Sequence, residues 1–239
     1  MDIAKGPDAT EEQLTLRMLF VNFGAIHTSS MTFMHAFYYL ASDETYMKLL
    51  RSEVDEVVEQ YGWTKDALDM MVIVDSFLKE CQRLHAPGLA GLLRRAAQDF
   101  TFSNGITIPR GTIVGASILE THLDSSVYTN PLEFDPLRYV KLSTSSQNPS
   151  ETQFGSAEPS KKKYDITAVS LDSLIFGYGR HACPGRFFAA AELKLMMAYL
   201  VRHYDVKLEN GVKERPRDLT FGLNVMPNPF ARAMFRKRR

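Results

Sequence analysis

The ten residues FGYGRHACPG, Phe176 to Gly185, carry the strongest signal in this chain of 239 residues. They place Cys183 directly before Pro184, and proline is a favoured first residue of a helix. A sulfur at the positive end of a helix is stabilised as the thiolate rather than as the thiol. The stretch therefore predicts an activated cysteine in front of a helix.

Three glycines surround this cysteine. Because Gly177, Gly179 and Gly185 have no side chains, backbone amides can turn inward toward an anion, and a flat partner can approach closely. A thiolate in such a loop is a nucleophile or a metal ligand.

The residues alone leave three interpretations of Cys183 open. A nucleophile needs a histidine base and an oxyanion hole, and His181 is close in sequence, although the sequence does not bring it within reach of the sulfur. A buried structural cysteine would not explain the glycines or the basic pair Arg180 and His181. A metal ligand beside carboxylate-binding groups and an aromatic residue, Phe176, is typical of a haem with two propionates.

Composition excludes several classes of protein. Lys plus Arg and Asp plus Glu number 28 each, so no net basic field recruits nucleic acid. Cys81 and Cys183 have no CxxC partners, which argues against a disulfide scaffold or a structural zinc site. The longest apolar run, from Met18, is shorter than the roughly 20 residues of a membrane span, so the chain as given is expected to have no membrane anchor. The basic end, Phe235 to Arg239, is interpreted most simply as a solvated tail.

Helical patterns dominate the first half of the chain. Thr10 is a suitable N-cap for one long, largely buried helix over about 9–41. A second helix is expected over about 43–60 and a third over about 64–84. A last long helix is expected over about 184–203, where apolar residues recur at the spacing of a buried face.

Alternating polar and apolar residues after the third helix predict a small sheet. Asn104-Gly105 is the strongest short-range signal for a hairpin turn, so a hairpin is expected over about 98–115. The polar, serine-rich stretch over about 143–163 is predicted to be a mobile loop. The expected fold class is therefore α+β, mainly helical with small β-sheets.

The cysteine stretch resembles the haem-binding loop of the cytochrome P450 superfamily, Phe-x-x-Gly-x-x-x-Cys-x-Gly, position by position. This resemblance implies a haem b cofactor with the Cys183 thiolate as the axial ligand of the iron. Arg94 is similar in placement to another propionate-binding arginine of the family, with Arg95 as the alternative. The implied cofactor site comprises Cys183, Phe176, Gly177, Gly179, Arg180, His181, Gly185 and Arg94.

A second motif of the family is a structural triad. Glu80 and Arg83 in ECQR resemble its Glu-x-x-Arg, and Arg138 in FDPLRY matches the arginine that completes the triad. A buried guanidinium needs a carboxylate to match its charge, so the trio is expected to tie the third helix to the extended segment beneath the haem loop. Without the resemblance, Glu80 and Arg83 would more often form a surface pair.

The segment GAIHTS, Gly24 to Ser29, resembles the oxygen-activation motif of the family. Thr28 falls on the threonine that holds water and dioxygen, whereas His27 stands where an acid is usual and Ala25 replaces a glycine. The catalytic candidates are therefore Thr28 and His27, with either His27 or ordered water delivering protons. As ordinary helix residues, His27 would be a satisfied core histidine and Thr28 would bond back to the preceding turn.

The resemblance covers nearly the whole chain but only the C-terminal, haem-binding half of the cytochrome P450 fold. It implies a haem-thiolate monooxygenase, an oxidoreductase that inserts one oxygen atom from dioxygen into a small apolar substrate with electrons from a reductase. The serine-rich loop and His27 resemble fungal members that act on secondary metabolites such as terpenoids.

Two expectations follow from the half that the resemblance does not cover. A full-length member would lie on the cytosolic face of the endoplasmic reticulum membrane through its N-terminal part, whereas this chain alone would be cytoplasmic. The competing hypothesis is a truncated, non-catalytic fragment with weak or no haem binding, because an apolar face would be left exposed.

Overall fold

The structure is a computed structural model that describes residues 5–145 and 163–238. The loop expected over about 143–163 lies, apart from its ends, outside the described residues. The helices are α1 (Glu11–Ser42), α2 (Glu44–Tyr61), α3 (Lys65–Met70), α4 (Val72–Leu84), α5 (Ile118–His122), α6 (Arg138–Ser145) and α7 (Arg186–His203). None of these helices is both long and apolar enough to cross a bilayer.

Four helices build the main core. Side chains from α1, α2, α4 and α7 pack together, and Leu50, Phe77 and Met197 are completely buried within this cluster. The C-terminal half of α1 lies in the cluster, as does one face of α7, the helix that follows the cysteine loop. The loop is thus mounted on an element that is anchored in the core.

The strands of the described ranges form small antiparallel pairs. They are β1 (Ala90–Arg95) with β4 (Ile113–Ser117), β2 (Phe100–Thr101) with β3 (Thr107–Ile108), β5 (Tyr204–Leu208) with β8 (Ala233–Lys237), and β6 (Leu219–Phe221) with β7 (Asn224–Met226). The turn at Asn104-Gly105 lies between β2 and β3, where Gly105 has a φ of 86°. The Asn104 side chain accepts a hydrogen bond from the Ile106 amide at 3.1 Å. The predicted class, mainly α with small sheets, is confirmed.

The first helix is continuous, but only part of it is buried. All of its buried residues lie between Ser29 and Ala41. In the N-terminal half, Phe20 is 75% exposed and Phe23 is 70% exposed. The expectation of a largely buried helix is therefore wrong for this half. Apolar spacing shows that a helix face is suited to burial, but the face is buried only where another element packs against it.

The third predicted helix is divided in two. Met71 separates α3 from α4 with a non-helical φ of −77° and ψ of 79°. The Glu53 carboxylate of α2 accepts hydrogen bonds from the Ile73 and Val74 amides at 2.7 and 2.9 Å. The prediction of one continuous helix over 64–84 is corrected, because a side chain from another helix satisfies the first-turn amides of α4.

The basic C-terminus is solvated, but over its described residues it is a paired strand and not a free tail. Residues 235–237 belong to β8, where Phe235 pairs in register with Val206 of β5. The Phe235 ring also stacks on Phe37 with 5.4 Å between ring centroids, and Arg236 forms an ion pair with Asp205 at 2.9 Å. Strand pairing and ring stacking hold the backbone, so the segment is not a free tail. Its expected exposure to solvent is confirmed, because residues 234–238 are exposed.

Candidate functional site

The cysteine loop, Leu174–Gly185, folds back on itself in front of α7. The Cys183 amide donates a hydrogen bond to the Phe176 carbonyl at 2.7 Å, and the Gly177 amide donates to the Leu174 carbonyl at 3.0 Å. A short 3-10 turn, Gly179–His181, closes the loop, and the Ala182 amide bonds back to the Gly179 carbonyl at 3.0 Å. The glycines had suggested that the amides of this loop face an anion. Instead, the amides of Ala182 and Cys183 bond to carbonyls of the loop and hold it together.

Two glycines of this loop have roles that a side chain would disturb. Gly177 has a φ of +73°, so a side chain there would be strained, although its Cβ would meet the His181 carbonyl oxygen only at an ordinary contact distance of 3.4 Å. A Cβ at Gly185 would lie 3.8 Å from the Cys183 sulfur. The absence of that carbon leaves one side of the sulfur open. Gly179, at the start of the 3-10 turn, also has a positive φ, 64°.

Only one of the two cysteines offers its sulfur to a ligand. Cys81 is completely buried on α4, and burial raises the pKa of its thiol well above the usual range. Cys183 is exposed. Its carbonyl accepts a hydrogen bond from Arg186 Nη1 at 2.9 Å, which joins the cysteine to the first turn of α7. A purely structural, buried cysteine is therefore the wrong interpretation of Cys183.

The predicted carboxylate-binding groups are all exposed. Arg180 Nε donates a hydrogen bond to His181 Nε2 at 3.2 Å, so the two side chains lie together. Arg94 lies on β1 opposite Val114, and its Nη1 donates a hydrogen bond to the neighbouring carbonyl of residue 93 at 2.8 Å. Leu92 of the same strand approaches the cysteine loop, since its Cδ2 would lie 3.8 Å from a Cβ on residue 177. The strand that carries Arg94 therefore borders the loop.

The structure brings the predicted triad together as a buried ion-pair network. The Glu80 carboxylate is completely buried and accepts hydrogen bonds from Arg83 Nη2 and Nε at 2.7 and 2.8 Å. It also accepts one from Arg138 Nε at 2.9 Å. The interpretation of Glu80 and Arg83 as a surface pair is wrong, because both side chains are buried.

The remaining donors of the two arginines reach carbonyl oxygens. Arg83 bonds to the carbonyls of His122, Pro131 and Glu133, and Arg138 bonds to those of Thr129, Asn130 and Glu133. The segment 129–133 is thus wrapped around both guanidinium groups. Because these carbonyls take up donors that the carboxylate does not reach, every nitrogen of the two buried guanidinium groups has at least one hydrogen-bond acceptor.

The distal candidates lie on the exposed half of α1. Thr28 Oγ1 donates a hydrogen bond to the Gly24 carbonyl at 2.7 Å, which is the back-bonding typical of a helical threonine. The exposed His27 ring lies edge-on to Phe23 with 5.3 Å between ring centroids, so it is not a satisfied core histidine. Within the described residues, no hydrogen bond or ring contact joins Thr28 or His27 to the cysteine loop.

Sequence analysis missed the buried groups that lock α4 to its neighbours. Asp75 of α4 forms a buried ion pair with Lys194 of α7 at 3.1 Å. Lys79 donates a hydrogen bond to the Asp165 carbonyl at 2.8 Å, and burial lowers the pKa of Lys79 to about 8. No local pattern marks these residues, since Asp75 and Lys194 are 119 positions apart.

A second polar cluster was also missed, and it lies where α1, the end of α4 and the C-terminal segment meet. Asp218 accepts hydrogen bonds from Arg215 Nη2 at 2.8 Å and from His85 Nδ1 at 2.6 Å, beside the buried His35. Burial alone would raise the pKa of Asp218, but the hydrogen bonds from His85 and Arg215 hold it well below its usual range. His35 Nδ1 accepts a hydrogen bond from Arg215 Nη2 at 2.7 Å. Because the Arg215 guanidinium supplies the positive charge, the cluster is a structural junction.

The cysteine loop fits a haem by the chemistry of its donors. A haem is a flat apolar ring with two carboxylates and an iron that a thiolate can ligate. The exposed Cys183 sulfur with its open side matches the iron, and the exposed Arg180 and His181 match the carboxylates. The first turn of α7 adds apolar surface, since Phe187 and Phe188 are both exposed.

Comparisons with known proteins agree with this fit. The family model for cytochrome P450 matches residues 2–232. Cytochrome P450 monooxygenase 151 of Postia placenta is 44% identical over 217 residues, which is 91% of this chain and 41% of that protein.

Two further relatives come from other fungi. Cytochrome P450 monooxygenase AN1598 of Emericella nidulans is 37% identical over 242 residues, 100% of this chain and 42% of that protein. Ent-kaurene oxidase of Gibberella intermedia is 36% identical over 240 residues, 99% of this chain and 43% of that protein. The chain thus spans about two fifths of the length of the curated relatives it matches.

Proposed function

Because this chain belongs to the cytochrome P450 family, we propose that it forms the haem-binding part of a haem-thiolate monooxygenase, with Cys183 as the axial ligand of the iron. The observation that carries the proposal is the contrast between the two cysteines. The Cys183 sulfur is exposed and open on the side of Gly185, whereas Cys81 is completely buried. The haem, when bound, would supply the redox chemistry by which one oxygen atom of dioxygen enters a C–H or C=C bond.

The residues of the cysteine loop have separate tasks in this proposal. Cys183 supplies the thiolate, and its position is held by the bond from its amide to the Phe176 carbonyl. Arg180 and His181 bind propionate, with Arg94 approaching from β1. Gly177 allows the tight turn that the loop needs.

On the distal side, we propose that Thr28 holds water for proton delivery. Its hydroxyl proton is already committed to the Gly24 carbonyl, so the oxygen lone pairs are available to accept a hydrogen bond from water. His27 is exposed next to it, and its imidazole ring can donate or accept a hydrogen bond.

For the whole enzyme we propose a small apolar substrate, a secondary metabolite such as a terpenoid, and a reductase as electron donor. The name of the Gibberella intermedia relative, ent-kaurene oxidase, supports this substrate class. We further propose that the full-length enzyme lies on the cytosolic face of the endoplasmic reticulum membrane.

The alternative proposal is a non-catalytic fragment with weak or no haem binding. The exposed apolar half of α1 favours it, because Phe20, Phe23 and Ile26 are all more than half exposed. Apolar surface of this kind promotes association with other chains and aggregation.

A carbon monoxide difference spectrum tests both proposals. The purified chain is mixed with haem, reduced under carbon monoxide and compared with Cys183→Ala and, as the matched control, Cys81→Ala. We expect a long-wavelength Soret band in the wild type and in Cys81→Ala, and its loss in Cys183→Ala. A band that persists in Cys183→Ala would refute Cys183 as the ligand. Free or histidine-bound haem in every sample would favour the non-catalytic fragment.

A further inference from the structure

His122 is a buried histidine at the end of α5, and both of its ring nitrogens are used. Nδ1 lies 3.1 Å from the Arg83 carbonyl oxygen, and Nε2 lies 3.1 Å from the Leu174 amide nitrogen. A carbonyl can only accept a hydrogen bond and an amide can only donate one. Nδ1 therefore carries the proton and Nε2 is the acceptor, which fixes one neutral tautomer of the ring.

The surroundings of His122 also favour the neutral ring. The side chain is 1% exposed, and burial lowers its pKa to about 4. The bond to the Arg83 carbonyl opposes this change, while the positive charges of Arg83 and Lys79 reinforce it. At neutral pH the Nε2 lone pair is thus free to accept the Leu174 amide.

Hydrogen bonds continue from His122 to the proposed iron ligand. Leu174 is the first residue of the cysteine loop, and its carbonyl accepts the Gly177 amide at 3.0 Å. One residue before Gly177, the Phe176 carbonyl accepts the Cys183 amide at 2.7 Å. The hydrogen bond at Leu174 therefore fixes the segment 174–177, which contains the Phe176 carbonyl that accepts the Cys183 amide.

In the other direction, His122 is held by the triad at two points. Arg83 accepts from the ring through its carbonyl, and Arg83 Nη1 donates to the carbonyl of His122 at 2.8 Å. Arg83 also lies over the Tyr128 ring, 5.0 Å from its centroid, and the Tyr128 hydroxyl donates to the Asp172 carbonyl at 2.7 Å. The same arginine thus supports two contacts to the segment that enters the loop.

We propose that His122 is a positioning residue for Cys183: its Nε2 fixes the Leu174 amide and thereby orders the loop that presents the thiolate. The consequence for haem rests on the proposed function, whereas the ordering of the loop rests on this chain alone.

Replacing His122 with glutamine or with asparagine tests its two ring hydrogen bonds one at a time. Glutamine at position 122 places its carbonyl oxygen where Nε2 lies, so His122→Gln retains an acceptor for Leu174. Asparagine is one bond shorter and its NH₂ replaces Nδ1–H, so His122→Asn retains the bond to Arg83 and loses the one to Leu174. The two variants are therefore matched in chemistry and differ in which partner they reach.

Amide hydrogen exchange in the haem-free chain, resolved by NMR, tests the ordering step. In the wild type the Leu174 and Gly177 amides should be protected. In His122→Asn the Leu174 amide should exchange about tenfold faster, the effect of losing one buried hydrogen bond, and His122→Gln should restore protection. Two results would overturn the proposal. The first is an unprotected Leu174 amide in the wild type, which is measured without any variant. The second is equal exchange of that amide in His122→Asn and His122→Gln.

The carbon monoxide spectrum tests the consequence for the ligand. At equal haem content, His122→Asn should lose a large part of the long-wavelength Soret band and His122→Gln should regain it. A full band in His122→Asn despite faster exchange at Leu174 would overturn the positioning of Cys183. If the wild type itself shows no thiolate band, the proposed function fails, and the exchange data still decide the ordering step.

Discussion

Replacing Glu80 with glutamine should destabilise the chain more than any surface substitution. Glutamine keeps the size of Glu80 but removes the charge that matches Arg83 and Arg138, and its NH₂ group cannot accept their hydrogen bonds. Removing one partner of a buried ion pair costs about 3–5 kcal/mol. Glu80 pairs with two arginines, but backbone carbonyls still bond to both guanidinium groups in the variant. We therefore expect the free energy of unfolding to fall by about 4 kcal/mol, the cost of breaking one buried pair and not two.

Urea unfolding followed by circular dichroism measures this loss as a lower midpoint at constant m-value. The matched control is Lys141→Ala, which removes the ion pair of Lys141 with Asp135. Because the Lys141 side chain is 65% exposed, its loss should cost less than about 1 kcal/mol. A Glu80→Gln variant as stable as this control would refute the buried network as a source of stability.

Three further predictions concern pH, the loop and the distal threonine. The pKa of His122 is about 4 in the folded chain against 6.5 unfolded, so below pH 6.5 the unfolded chain binds the proton first. Stability should therefore fall by roughly 3 kcal/mol as the pH drops from 6.5 to 4, and His122→Gln should flatten the urea-derived profile. An unchanged profile in that variant would contradict the assignment. Gly177→Ala should loosen the loop by about 1–2 kcal/mol through its positive φ, measured as faster amide exchange over residues 174–183. The comparison is Gly185→Ala, where a φ of −79° suits an alanine. In the full-length enzyme, Thr28→Ala should lower product per electron at unchanged haem content while Thr28→Ser retains it. Equal coupling in both Thr28 variants would contradict a role in proton delivery.

Features that depend on neighbours in the sequence were predictable. The hairpin turn at Asn104-Gly105 follows from the positive φ that Gly105 adopts and from the short side chain of Asn104, which accepts a hydrogen bond from the Ile106 amide two residues on. The triad could be assigned because the resemblance supplies the pairing of Glu80 with Arg138 across 58 positions, which spacing on one helix cannot.

Features that depend on distant partners were not predictable. Nothing near Met71 indicates a break, because the capping carboxylate of Glu53 comes from another helix. The basic residues at the C-terminus suggest solvent, and only the pairing of Phe235 with Val206 makes them a strand. No local pattern marks His122, since Leu174, whose amide donates to its ring, is 52 residues away.

The carbonyl contacts of the triad have a consequence for substitution tolerance. Arg83 and Arg138 recognise the segment 129–133 through main-chain oxygens, which every amino acid supplies, so a saturation library should accept many side chains at Thr129 and Glu133. Asn130 is the exception, because its φ of 48° restricts the position to residues that tolerate a left-handed backbone. Lysine should fail at both arginine positions, since an ammonium cannot span several fixed acceptors as the guanidinium fork does. We therefore expect a saturation library to vary at Thr129 and Glu133 and to retain arginine at positions 83 and 138.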